Sequence, residues 1–416
     1  MPKQLDILIR NVQLRDKAGS LFQLGITDGR IAAIENSIDS SAVIEIDAQG
    51  NLVTESFVNP HLHLCKVYTK AMMDDESIKA YHGIEGQMGS AMTSIELAMK
   101  VKEKYNESWI IKNVRRAVAY AAIYGCTHMR VFADVDNKAK LEGVKALLRA
   151  REEFKNIVEL QVVAFAQDGL VREPGAEKLV CEAMEMGADV VGGIPWIEYT
   201  QEDIAVHVKI IYDIAEKYNK PVSMLVDDAG DPNLRAIELM ALETIKRGWE
   251  GRSLAHHCRA AALYPEPYLM KLEHLIKKAQ MGWSTSPFTG PMVAPVQKLH
   301  KAGVLVFIGQ DDISDAYYAF GRNNMLECAF LSAHLLWMST PEEMETLYDM
   351  VTVLPARGMG LPDHNLKVGA PANLVILDQP NVNEALRFHE APACTISHGK
   401  VVDKARMLRI VETREW

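Results

Sequence analysis

His61-Leu62-His63 ends the apolar run Phe57-Val58-Asn59-Pro60. Two imidazoles two residues apart on an extended chain face the same side and can converge on one metal ion. His257 follows Ser253-Leu254-Ala255 and Asp311 follows the apolar stretch 304–309, so two more metal-competent side chains stand at the ends of strand-like runs. A divalent cation held by imidazoles and a carboxylate lowers the pKa of its water and provides hydroxide near neutral pH. Attack on an electron-poor ring carbon or a carbonyl then needs a base for the water's proton and an acid for a departing amine. Metal-competent residues at several strand ends of an α/β chain are what a site on one face of a barrel requires.

The elements that must position these residues follow a regular rhythm. Helical periodicity over 108–124, 138–154, 177–186, 203–218, 233–247, 267–279 and 291–302 alternates with short apolar runs. Those runs are 128–132, 158–165, 190–194, 222–226, 253–255, 282–284 and 304–308. With the strand before His61 they make eight strands separated by helices, which predicts a (β/α)8 TIM-like barrel. A doubly wound sheet would also alternate, but no GxGxxG follows the first strand. Residues 5–53 read as short strands with an Asp28-Gly29 hairpin signal, and the chain after 366 reads the same way. Both chain ends are therefore expected to pair into a small β-sandwich, giving 1–54 as its first part, 55–365 as the barrel and 366–416 as its second part.

Bulk composition narrows the function. The 416 residues carry a formal charge of −10, with 48% hydrophobic and 24% charged residues. An acidic chain of this kind argues against nucleic acid or an anionic membrane as partner and favours a small, neutral or weakly charged substrate. Six scattered cysteines without CxxC spacing indicate neither a disulfide framework nor a zinc ribbon. The N-terminus has no signal-peptide pattern and no run is long enough to cross a bilayer, so a cytoplasmic location is expected. Self-association as a homo-oligomer is left open by the sequence.

Longer matches now carry a resemblance. They are Asn59-Pro60-His61-Leu62-His63-Leu64-Cys65-Lys66, the stretches 163–169 and 192–200, Gln310-Asp311-Asp312-Ile313-Ser314-Asp315 with Ala316-Tyr317-Tyr318, and Asn323-Asn324-Met325-Leu326. With His257 and the closing stretch 366–374, the chain resembles the amidohydrolase superfamily, in its cytosine deaminase and N-isopropylammelide hydrolase branch. The resemblance implies a metal-dependent hydrolase acting on C–N bonds of a small N-heterocycle such as a pyrimidine, triazine or related lactam. It implies one divalent ion, zinc first and iron or manganese next. It places Asp311 as metal contact and base, His257 beside the water or the developing oxyanion, and Asp228 in the place of the general acid. Its neighbour His256 is expected to point the opposite way, as a structural histidine.

Two departures from the branch stand out. Leu225 or Ser223 occupies the position of the strand-five metal histidine, and Phe132 stands where the branch carries histidine. Three accounts are open: a shell of His61, His63 and Asp311 completed by a repositioned His257 or by Asp227, leaving one site for water; a weak metal binder that is a poor enzyme or a catalytically silent, ligand-binding relative; or an altered sequence whose parent carried histidine at 223 or 225. Hydrolysis of an exocyclic amide, urea or carbamate on the same site is a further alternative, to which the stretch 284–292 leans.

Around this centre Lys66 is a candidate for a substrate carbonyl or triazine oxygen, or a solvated loop lysine. By resemblance Gln167 faces the edge of a pyrimidine, and an amide's donor and acceptor suit a lactam. Trp196 is suited to stack on a planar ring or to pack under the barrel mouth, and Tyr317 to line the pocket or the core. The methionines 72, 73, 88 and 92 around 81–87 offer an apolar lid or ordinary helix packing. His128 is expected to be structural, and His82, His207, His274, His300, His334, His364, His389 and His398 have no partners at ligand spacing.

Overall fold

The computed structural model describes residues 4–15, 17, 19–73 and 100–413. The lid segment 81–87, with His82, Met88 and Met92, lies outside the described residues. Eight parallel strands run in order Phe57–Leu62, Cys126–Asp134, Glu159–Ala166, Val190–Gly193, Val222–Val226, Ser253–His257, Gly282–Thr285 and Leu305–Ile308, each hydrogen-bonded to the next in the chain. Strand eight returns to strand one: the Asp311 N–H donates to the His61 carbonyl at 2.8 Å and the His63 N–H to the Asp311 carbonyl at 2.8 Å. The sheet thereby closes into the expected (β/α)8 barrel.

Every residue of strands one, two and five is buried, as expected when helices cover one face and the barrel interior the other. The covering helices begin and end on local signals. The helix Gln201–Tyr218 starts at Thr200, whose hydroxyl accepts the Asp203 N–H, and stops at Asn219 with φ +50°. Asn59 secures the closure. Its Oδ1 accepts N–H groups from His61 at 3.2 Å and Gln310 at 3.1 Å, and its Nδ2 donates to Asn323 Oδ1 at 2.9 Å. Gly309 lets strand eight approach this closely, because a Cβ there would lie 2.7 Å from that of His61.

The chain ends form two four-stranded sheets. One holds Leu5–Gln13, Leu21–Thr27, Arg30–Glu35 and Ala42–Asp47; the other holds Val53–Glu55, Leu374–Ile376, Cys394–Ser397 and Lys400–Val401. They share a core of Ile7, Ile9, Leu24, Ile26, Leu374, Ile376 and Ile396, so the termini build one sandwich. The last segment is not sandwich throughout. Helix Lys404–Glu412 packs back on Glu107–Ile123, and its Met407 joins the barrel's core. The six cysteines are free thiols, and no described helix is long and apolar enough to cross a membrane.

Candidate metal centre at the barrel mouth

Strand exits bring four side chains from three strands together. Around Asp311 Oδ1 stand the Nε2 atoms of His257 at 3.4 Å, His61 at 3.5 Å and His63 at 3.9 Å. All four residues are buried, and His61, His257 and Asp311 form one group of metal-competent atoms, with His63, Asp311 and Asp312 a second. These distances are too long for hydrogen bonds. The His257 and His61 distances match a different geometry, in which ligands about 2.1 Å from a tetrahedral ion lie about 3.4 Å from each other, whereas His63 stands farther out. His61 Nε2 has no hydrogen-bond partner among the described residues, although it is fully buried. A buried orphan nitrogen aimed at a carboxylate fits a metal ligand, so the donor set accommodates a divalent cation.

Burial keeps the His61 and His63 imidazoles neutral. Burial outweighs the attraction of Asp311 and pushes His61 down to about 3, and burial with the Lys66 charge holds His63 well below the usual range. Burial pushes Asp311 up, but His257 and the two other imidazoles outweigh it and hold the carboxyl well below its ordinary range. The Phe132 ring lies 4.7 Å from His61 and 5.3 Å from His63, centroid to centroid. Where the sequence pointed to a lost polar group, the structure has an apolar wall behind His61 and His63.

Strand five resolves which residue stands at ligand height. Ser223 Oγ accepts from Arg130 Nη1 at 3.1 Å, deep in the barrel, where Arg130 also holds Gln161. Leu225 is in register with His256, one layer nearer the mouth. The expectation for His256 needs correction. Its Nδ1 lies 3.2 Å from His61 Nδ1, inside the barrel, while His257 also reaches the centre. Alternation fails because His257 takes φ +64°, which leaves the extended conformation and lets adjacent residues face the same site. His256 thus orients His61 through the nitrogen that faces away from Asp311.

Asp227 is not among the converging groups. Its oxygens accept N–H groups from Ala236 at 2.8 Å and Ile237 at 3.0 Å, anchoring the first turn of helix Ala236–Lys246, and Tyr264 Oη adds a donor at 3.3 Å. Its φ of +52° turns it there, away from the centre. Asp228 is partly buried and paired with the Arg259 guanidinium. Arg259 Nη2 donates to Thr289 Oγ1 at 2.6 Å, and Thr289 donates to Asp311 Oδ2 at 2.7 Å. Asp228 is thus linked to Asp311 through that chain.

The expected substrate side chains meet. Lys66 Nζ donates to Gln167 Oε1 at 2.9 Å and lies 4.5 Å from the Tyr317 ring centroid. Burial would lower the Lys66 pKa, but Asp134, Asp312 and Asp315 outweigh it and keep the ammonium charged. Trp196 is buried, and its indole N–H has no partner among the described residues. Sequence reasoning missed Arg259, Thr289 and a buried Lys102, which contacts Asp136 at 2.9 Å and Asp168. A buried cation among aspartates is a contact across strand exits, and no local pattern announces it.

Residues 45–403 match the amidohydrolase family. The chain is 29% identical to the N-isopropylammelide isopropyl amidohydrolase of Pseudomonas sp. (strain ADP), over 98% of this chain and 100% of that protein. The 5-methylcytosine deaminase of Klebsiella pneumoniae, solved with 5-fluorocytosine, is 31% identical with TM-score 0.86, covering 95% of this chain and 97% of that one. The N-isopropylammelide isopropylaminohydrolase of Burkholderia multivorans, at 24% identity and TM-score 0.80 over 95% and 97% of the two chains, shares the fold. With a closed barrel, a histidine and aspartate cluster at its mouth and a match over most of its length, the chain belongs to the amidohydrolase family.

Proposed function

We propose that the protein is a metal-dependent hydrolase that cleaves a C–N bond of a small N-heterocycle and releases an amine. The observation that carries this is the convergence of the His61, His63 and His257 Nε2 atoms on Asp311 Oδ1. His61, His257 and Asp311 would hold the ion, with His63 next to them, zinc being the best match for imidazoles and a carboxylate that leave a position for water. When bound, a divalent cation supplies a nucleophilic water near neutral pH. Asp311 takes the proton from the attacking water, and Thr289 and Arg259 fix the carboxylate so that one oxygen faces the imidazoles. Asp228 holds Arg259 in place. Gln167 presents an amide edge and Lys66 a cation beside it, a pairing suited to the alternating N–H and C=O of a lactam. Names of relatives that act on a methylcytosine and on an ammelide support this substrate class.

The test is reconstitution of stripped protein with zinc, iron(II) or manganese(II), followed by amine release from aminopyrimidines, aminotriazines and pterins. Turnover with one of these classes is expected, with His61→Ala abolishing it. A metal-loaded protein that turns over none of them but hydrolyses linear amides or ureas would overturn the substrate class. No turnover of any kind would overturn the enzymatic reading.

A further inference from the structure

The opposite end of the barrel holds a second cluster of metal-competent side chains. His128 and Glu159 are register partners near the starts of strands two and three, and His398 sits at the tip of the hairpin between Cys394–Ser397 and Lys400–Val401. His128 Nε2 lies 3.6 Å from Glu159 Oε2, and His398 Nε2 lies 2.5 Å from Glu159 Oε1. All three ligand atoms fall within 4.8 Å of one another. Sequence spacing had given neither histidine a partner, because the sandwich must dock on the barrel before they meet.

Each ring is held from behind. His128 Nδ1 is 2.8 Å from Thr127 Oγ1, which is in turn 2.6 Å from Ser56 Oγ, and His398 Nδ1 is 2.9 Å from Ser397 Oγ. Both Nε2 atoms are thereby aimed at the same carboxylate, the arrangement in which imidazole ligands are fixed by an outer hydrogen bond. The His398 N–H donates to Asn373 Oδ1 at 2.7 Å, and the adjoining Gly399 packs so closely on Gly29 that a Cβ would lie 2.5 Å from its Cα. The hairpin tip is a fixed platform. The side chains of Glu159 and His398 are 47% and 32% exposed, which leaves room for entry of an ion and a completing water.

We propose that His128, Glu159 and His398 form a second divalent transition-metal site, of zinc type, that fastens the C-terminal sheet to the N-terminal face of the barrel. Two imidazoles and one carboxylate with an open position suit zinc better than calcium or magnesium, which prefer all-oxygen shells. A site at this face of a barrel serves stability rather than turnover.

The test titrates zinc ion into stripped full-length protein and reads stoichiometry against a chromophoric chelator, with Tm in parallel. His398→Ala and Glu159→Gln change exposed or partly exposed side chains, so the fold is expected to survive. Each should bind one equivalent fewer than the parent and lose a zinc-dependent rise in Tm of about 3 °C at a hundredfold excess over Kd. Amine release should be retained, and His61→Ala should remove a different equivalent, so failure at one site is distinguishable from failure at the other. Equal stoichiometry in His398→Ala and the parent would reduce the cluster to an imidazole–carboxylate ion pair and overturn the proposal.

Discussion

Thr289→Val isolates the one hydroxyl that links Arg259 to Asp311. Valine keeps the shape of threonine and removes only the group that donates to Asp311 Oδ2 at 2.7 Å and accepts from Arg259 Nη2 at 2.6 Å. The Asp311 carboxylate then loses its fixed donor, and Arg259 is left with Asp228 and a long contact of 3.4 Å to the Ser286 carbonyl. A hydrogen bond to a charged group contributes about 1.5–3 kcal/mol. At about 1.4 kcal/mol per tenfold, that converts to a loss of about 10- to 150-fold. Outer partners of metal ligands cost about 10- to 100-fold in metal affinity or activity when removed, so the two estimates agree. The measurements are kcat/KM for amine release and zinc affinity by chelator competition, with Thr289→Ser as the control that restores the hydroxyl. Thr289 is only half-buried, so Tm should move little. Values for Thr289→Val within about twofold of the parent would refute the reasoning, as would a Thr289→Ser variant equally impaired.

Two other substitutions test how the mouth is built. Glu198 Oε1 accepts N–H groups from Leu170 at 2.7 Å and Val171 at 3.1 Å, Oε2 accepts from Arg172 at 2.9 Å, and His207 Nδ1 lies 2.7 Å from Oε1. Glu198→Gln turns an amide N–H₂ toward one of these donors and should cost about 2–4 kcal/mol by chemical denaturation at pH 7. Burial raises the Glu198 pKa, but His207 and the backbone donors outweigh it and leave it below its ordinary 4.5. A depressed carboxyl stabilises above its unfolded pKa and loses that contribution as pH falls through the folded one. The gap between parent and variant should therefore be full at pH 7 and narrow below about pH 4.5; a gap that widened on acidification would contradict this. Leu225→His restores an imidazole at ligand height, beside His256 and in a wall closed by Phe132. Because three imidazoles already meet Asp311, we expect a stability loss of about 1–3 kcal/mol and activity within a few-fold of the parent. A steep rise in activity would show that the shell lacked a ligand.

The barrel and the identity of four of its mouth residues were legible because one regular pattern determines both. Alternating short apolar runs and helices close into a barrel, and a barrel gathers all strand exits on one rim. His61, His63, His257 and Asp311 could be placed together without knowing any contact. Arg259, Thr289 and Lys102 could not, since each acts through a partner on another loop and none is marked by its own neighbours. His398 lies 239 residues from Glu159, and only the packing of the sandwich on the barrel joins them.

Parity along a strand was the rule that failed, and where it failed is informative. Asp227, His257 and Asp311 have φ of +52°, +64° and +72°, each at or just past the exit of strands five, six and eight. A residue in that region leaves the alternation, so the side chain no longer points where counting by two would send it. The left-handed region costs about 1–3 kcal/mol for residues other than glycine, and aspartate, asparagine and histidine bear it best. The same three residues carry the helix anchor, the imidazole nearest Asp311 Oδ1 and the carboxylate itself. Strand exits are thus where backbone strain is tolerated in order to re-aim a polar group. Replacing the three by glycine would relieve the backbone and remove the chemistry, so strain and function at this rim have one cause.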